Sequence, residues 1–150
     1  MAKKPQIQWF IVEDGEAYSS PEYYAGSTMI GQTMQVKMHV WNNRWGQEIV
    51  KDATNCRVNI SFGSLEDSAL LSMTKMIVNK TEIQGTITNK ILTIPIGKDL
   101  LGNINSGSVT VADDNYFEFI LQFGPVTEDM KREIKKLYVD LDYTEREKTV

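Results

Sequence analysis

The chain has 150 residues, 41% of them hydrophobic and 24% charged, which are the proportions of a globular domain and not of a disordered tail, a collagen or a membrane span. Sixteen Lys and Arg against twenty Asp and Glu give a formal charge of -4, which argues against nucleic acid and anionic membranes as partners, since clustered cations hold both. One cysteine, Cys56, and one histidine, His39, leave no internal disulfide framework, no Cys-rich zinc site and no His-based metal set.

From the start of the chain, Lys3 and Lys4 precede an apolar stretch, residues 9–12, that runs into Glu13 and Asp14 and is too short for a secretory segment. No window approaches the ~20 apolar residues of a membrane helix. The expected location is therefore the cytoplasm of the producing cell. Residues 6–12 are a weak strand candidate. Residues 1–31 read as an N-terminal arm with that first strand, because residues 19–26 carry no regular pattern.

Period two dominates the chain beyond the arm. Met34, Val36, Met38 and Val40 alternate with Gln35, Lys37 and His39; Cys56, Val58, Ile60 and Phe62 alternate with Arg57, Asn59 and Ser61. Phe117, Phe119, Leu121 and Phe123 do the same around Glu118 and Gln122, as do Leu137, Val139, Leu141 and Tyr143 around Asp140 and Asp142. Strand side chains point alternately to opposite faces, so each run offers an oily face to a core and a polar face to water, the pattern of antiparallel sheets. Residues 70–78, 82–88 and 91–96 are weaker candidates. Turn chemistry separates them: residues 41–46, 63–68, 97–107, 113–115 and Gly124-Pro125. Helix is scarce, with one short candidate beginning at the cap residue Thr127 and a single turn over residues 99–101. Seven to eight strands are thus expected in an all-β antiparallel sandwich over residues 32–144, followed by a flexible charged tail, residues 145–150.

The segments 36–43 and 51–62, a strand ending in Asn42-Asn43 and then Lys51-Asp52-Ala53-Thr54-Asn55 leading into the next alternating strand, resemble immunoglobulin-like accessory domains of bacterial and phage proteins. The resemblance covers residues 34–62. It implies an immunoglobulin-like order of strands and a non-catalytic module that adheres, decorates or connects. Cys56 has no partner, so the disulfide-linked antibody subclass is excluded.

Catalytic constellations are sparse. His39 lies on the polar face of its strand, with no Gly-x-Ser-x-Gly motif or cysteine nucleophile beside it in sequence. Residues 102–107 lack the Gly-Lys-Ser/Thr of a phosphate loop. Asp140 and Asp142 share a strand face and are the candidates for calcium, which wants several converging oxygens; outward acids also serve to solvate a sheet and discourage edge pairing. No cofactor is expected. The basic residues Lys131, Arg132, Lys135 and Lys136 alternate with acids and read as a solvated face.

Aromatic residues carry the binding signal. Trp9 and Trp41 are expected in the packing, whereas Tyr18, Tyr23, Tyr24 and Trp45, set in irregular or turn segments, are the expected contact surface. The reading is a structural module of a virion, an accessory head or tail protein of a phage, whose partners are protein subunits including further copies of this chain. A carbohydrate-binding module using exposed Trp41, Trp45 and Tyr24 is the alternative. A small hydrolase built on His39 is a second one.

Overall fold

The computed structural model describes residues 2–13, 16–19, 22–24, 33–62, 71–111, 113–125 and 136–147. Its strands are β1 (Ile7–Glu13), β2 (Glu16–Ser19), β3 (Glu22–Tyr24), β4 (Met34–Asn42), β5 (Asp52–Phe62), β6 (Lys75–Val78), β7 (Thr81–Ile83), β8 (Thr86–Thr88), β9 (Ile91–Pro95), β10 (Tyr116–Phe123) and β11 (Lys136–Arg146). They form a six-stranded sheet, β2-β1-β4-β10-β6-β7, and a five-stranded sheet, β3-β11-β5-β9-β8, with antiparallel pairing in each. The described residues are all-β, two sheets around one main core.

Alternation does what it should in the four long strands. Val36, Met38 and Val40 of β4 and Phe117, Phe119, Leu121 and Phe123 of β10 face the interior from one sheet. Cys56, Val58 and Ile60 of β5 and Leu137, Val139 and Leu141 of β11 face it from the other. Register places Val40 opposite both Trp9 and Phe117, and Met38 opposite both Ile11 and Phe119. Trp9 meets Phe119 edge-on with centroids 6.2 Å apart, and Phe62 meets Phe123 at 5.6 Å, geometries that aromatic quadrupoles favour. Such area removed from water is the main stabilising term of the fold.

Several elements depart from the sequence reading. The described strands of the expected arm enter both sheets: β1 lies between β2 and β4, while β3 pairs with β11. The expected strand over 70–78 is reduced to β6, preceded by a 3-10 turn at 71–73. The expected strand over 82–88 is two strands in different sheets, because the chain crosses between layers at Gln84-Gly85. A Cβ on Gly85 would stand 2.6 Å from Ile94 Cγ1 and Thr93 O, so the crossing hugs β9 in a way that glycine permits. These divisions, with β2 and β3, raise the described strands above the seven to eight expected. Residues 99–101 do not form a helical turn; Leu100 bridges Ala53 through backbone hydrogen bonds of 2.8 and 2.9 Å. The candidate helix from Thr127 lies outside the described residues until Lys136, where β11 begins. β11 runs on to Arg146, into the expected tail, with Glu145 and Arg146 opposite Ala53 and Asp52. Among the described residues no helix is long and apolar enough to cross a membrane.

Candidate functional site

One end of the sandwich is organised by buried amides. β4 ends at Asn42, which is fully buried; its Oδ1 accepts from Gln6 N at 2.8 Å and its Nδ2 donates to Lys51 O and Leu100 O at 3.0 Å each. Asn43 is next, with φ of 62°, a left-handed value that asparagine tolerates, and its Nδ2 donates to Glu48 O at 2.8 Å and Asn103 O at 3.1 Å. Asn115 donates to Asn42 O and Asn103 O, and Asp52 Oδ1 accepts from Gly102 N at 2.9 Å while its Oδ2 accepts from Arg146 Nη2 at 3.0 Å. The network fixes two loops, residues 43–50 and 97–111, to each other; Val50 N and Asn105 N donate to Gly102 O and Gly46 O respectively.

Above this end, on the outer face of the six-stranded sheet, sits a second apolar cluster. Gln8, Trp41 and Tyr116 are cross-strand neighbours in one row, and Phe10, His39 and Glu118 in the next. Trp41 points away from the main core yet is 0% exposed, stacked on Tyr116 with centroids 4.8 Å apart and packed with Phe10. Arg44 closes the cluster: its guanidinium carbon lies 4.4 Å from the Phe10 ring centre, 4.8 Å from Trp41 and 4.3 Å from Trp45. Trp45 takes φ of 59° and remains 54% exposed. Gly107, at φ 82°, lets the 97–111 loop lie against the Trp45 indole, where a Cβ would collide.

His39 is 6% exposed, not solvent-facing as its place in the alternation implies, because its neighbours Phe10 and Tyr116 cover it. Its Nε2 lies 2.7 Å from Glu118 Oε2, and Lys37 Nζ lies 3.5 Å from Glu118 Oε1. Burial pushes the Glu118 carboxyl upward, but the hydrogen bond from His39 and the charge of Lys37 outweigh it and hold it below the ordinary carboxylate value. His39 Nδ1 is buried with no hydrogen-bond partner among the described residues, so neither ring nitrogen is bonded to a hydroxyl or thiol there.

Of the expected site residues, Trp45 is on the surface and beside an open cleft of about 560 Å³ lined by Lys3, Gln6, Gln8, Arg44, Gln47 and Glu48 among others. Trp41 is not available to a sugar, since Tyr116, Phe10 and Arg44 cover it. Tyr18 falls in β2 and Tyr23 and Tyr24 in β3; their side chains lie outside the described residues. Asp140 and Asp142 are strand residues of β11, Asp142 accepts from Asn59 Nδ2 at 2.9 Å, and no group of three metal-ligating side chains occurs among the described residues. Sequence reasoning misses the amide network and Arg44. The adjacent pair Asn42-Asn43, at the end of a strong strand and before a Trp-flanked arginine, is the signal that could have found them.

Cys56 is buried with its Sγ donating to Ala53 O at 3.3 Å, and burial raises its pKa to about 11. The thiol of the unfolded chain ionises near 9.0, so between pH 9 and 11 unfolding releases a proton. Stability present below pH 9 is therefore expected to fall as pH rises through that window, and Cys56→Ala should flatten the fall. Urea midpoints from pH 8 to 11 measure it; identical slopes for both proteins would refute it.

No family model, curated protein or solved structure matches the chain.

Proposed function

We propose that this is a non-enzymatic interaction module that joins neighbouring subunits of a larger assembly through the loop end of its sandwich. One observation carries the reading: Trp45, Ile49, Ile104, Val109 and Val111, five exposed large apolar side chains, sit on the two loops that the amide network fastens together. Scattered exposed apolar residues are ordinary, but a group concentrated on one rigid end marks a contact surface. Because the amides hold the loops in place beforehand, a partner meets a surface already ordered, and little entropy is lost on docking.

Strand order supports a finer reading. The rows β3-β11-β5-β9 and β4-β10-β6-β7, with the chain passing between sheets except at the hairpins β1-β2, β6-β7 and β8-β9, follow the two nested Greek keys of a jelly roll, with β1 and β2 added at one edge and β8 at another. We prefer that winding to the immunoglobulin-like order expected from residues 34–62. Jelly rolls recur in virus shells, which agrees with an accessory head or tail protein of a phage particle, although a fold alone assigns no function.

The test is a double variant, Ile104→Asp with Val111→Asp, at side chains 58% and 76% exposed, where the charges meet water in the free protein. Sedimentation velocity of the wild type is expected to show self-association that the variant loses, with the unfolding free energy unchanged within about 0.5 kcal/mol. A wild type that stays monomeric, or a variant that associates equally, overturns the proposal.

A further inference from the structure

We propose that the cleft beside Trp45 binds a saccharide that carries a carboxylate. Its volume, about 560 Å³, lies within the range of small-ligand sites, ~300–1,000 Å³. Its lining has the two parts that sugars require. Trp45 offers an exposed indole for the apolar C–H face of a pyranose ring. Gln6, Gln8 and Gln47 offer planar amides, each with two donors and an acceptor, for ring hydroxyls. Gln8 is already oriented, its Oε1 accepting from Arg44 N at 2.9 Å, which aims its NH₂ group as a donor.

Charge decides which sugar. Glu48 is the acid of the lining, and Lys3 pairs with it at 2.9 Å, which leaves Arg44 as the uncompensated charge. Arg44 has no carboxylate partner among the described residues. It is held among three aromatic rings with Nε donating to Gly107 O, and its Nη1 is buried without any acceptor among those residues. A buried charged donor lacking an acceptor is costly. Burial accordingly pulls the Arg44 pKa below the ordinary guanidinium value. Arg44 as a whole is half-buried and lines the cleft, so a ligand carboxylate there pairs with the guanidinium charge from its open side, which a neutral glycan cannot do. An acidic peptide supplies the carboxylate but few hydroxyls to match the three glutamine amides. The site adjoins the apolar patch: Trp45 belongs to both, whereas Ile104 and Val111 do not line the cleft.

The experiment titrates the full chain with trigalacturonate, a hyaluronate oligomer and sialyllactose, with lactose as the neutral control and hexaglutamate as the peptide control, followed by indole and backbone amide NMR shifts. At least one acidic sugar should shift the Trp45 indole and bind about tenfold more tightly than lactose, the scale of a charge-assisted hydrogen bond. Arg44→Gln should remove that preference. Gln47→Ala, at an exposed position that cannot unfold the chain, should weaken the same sugar several-fold, and the Ile104→Asp, Val111→Asp variant should bind it normally. No binding by any acidic sugar, lactose binding as tightly, hexaglutamate binding more tightly, or an unaltered affinity in Gln47→Ala each overturns the proposal.

Discussion

Asn42→Ala is expected to lower the unfolding free energy by about 3–5 kcal/mol, an unusually large effect for removing a polar side chain. The alanine methyl fills part of the space but takes this partner from the N–H of Gln6 and the carbonyl of Lys51, and leaves the Leu100 carbonyl with the Ala53 N–H alone. Each orphaned buried group costs about 1–3 kcal/mol, and the fully buried position leaves water no easy approach. These three residues belong to the lead-in of β1, the lead-in of β5 and the loop after β9, so the loss is felt in both sheets. Asn42→Asp makes the sharper comparison. It keeps an oxygen for the Gln6 N–H but turns its other oxygen toward the carbonyl oxygens of Lys51 and Leu100, acceptor against acceptor. The variant is therefore expected to be at least as unstable at neutral pH and to recover part of the loss on acidification, when the carboxyl gains a proton to donate. Urea denaturation at two pH values measures both. A loss below about 1 kcal/mol in Asn42→Ala would show that the loops at this end do not depend on the amide.

The same network links stability to the proposed binding surfaces. Trp45 N and Gly107 N both donate to Asn105 Oδ1, at 3.0 and 2.9 Å, and Asn105 Nδ2 donates back to Asn103 O at 3.0 Å. Backbone strain at Asn43 and Trp45, both at positive φ, persists because these bonds over-determine the loop. A binding surface on loops is usually mobile, and its ordering opposes association. At this end asparagine side chains tie the loops together as ladder hydrogen bonds tie strands, so the apolar tips and the cleft are positioned before any partner arrives.

How far the sequence discloses this depends on the type of interaction. Alternating hydrophobicity is a repeated signal, and it locates β4, β5, β10 and β11 together with their inward residues. It fails where one continuous run serves two layers: Thr81 to Thr88 keeps a strand-like composition throughout, and the crossing at Gln84-Gly85 is set by contact with β9. It fails again on the outer face, where parity places His39 toward solvent and the structure buries it under Phe10 and Tyr116, while Trp41, expected in the packing, is packed on that outer face and not in the main core. Whether an outward residue is wet depends on its cross-strand neighbours, and those come from register, which one sequence leaves unstated. Asparagines present the same difficulty. Asn42, Asn43 and Asn115, and the half-buried Asn105, have the composition of turns, and the role of their side chains appears only when segments some 60–73 positions apart are brought together. Trp45 is legible because a tryptophan in a turn has few neighbours able to cover it.

Trp41→Ala is the second large effect, about 3–5 kcal/mol, and it separates a true second core from a decorated surface. Trp41 lies on the side of β4 opposite Met38 and Val40, so a residue there would normally be half wet and cheap to truncate. Its complete burial, the stacked Tyr116 and the guanidinium 4.8 Å from its ring make it the centre of a cluster. Removing the indole strips one wall from Arg44, whose Nη1 is already unpaired, and uncovers Phe10 beside it. The cost is in packing and cation–π attraction, not in hydrogen bonding, because Trp41 Nε1 has no acceptor among the described residues. Trp41→Phe should accordingly stay within about 1.5 kcal/mol of the wild type while Trp41→Ala does not. Were the indole held by a hidden polar partner, phenylalanine would fail as badly as alanine. Urea unfolding followed by far-UV circular dichroism distinguishes the two, and equal losses would place the strength of this end in a polar bond to Trp41 instead of in its packed rings.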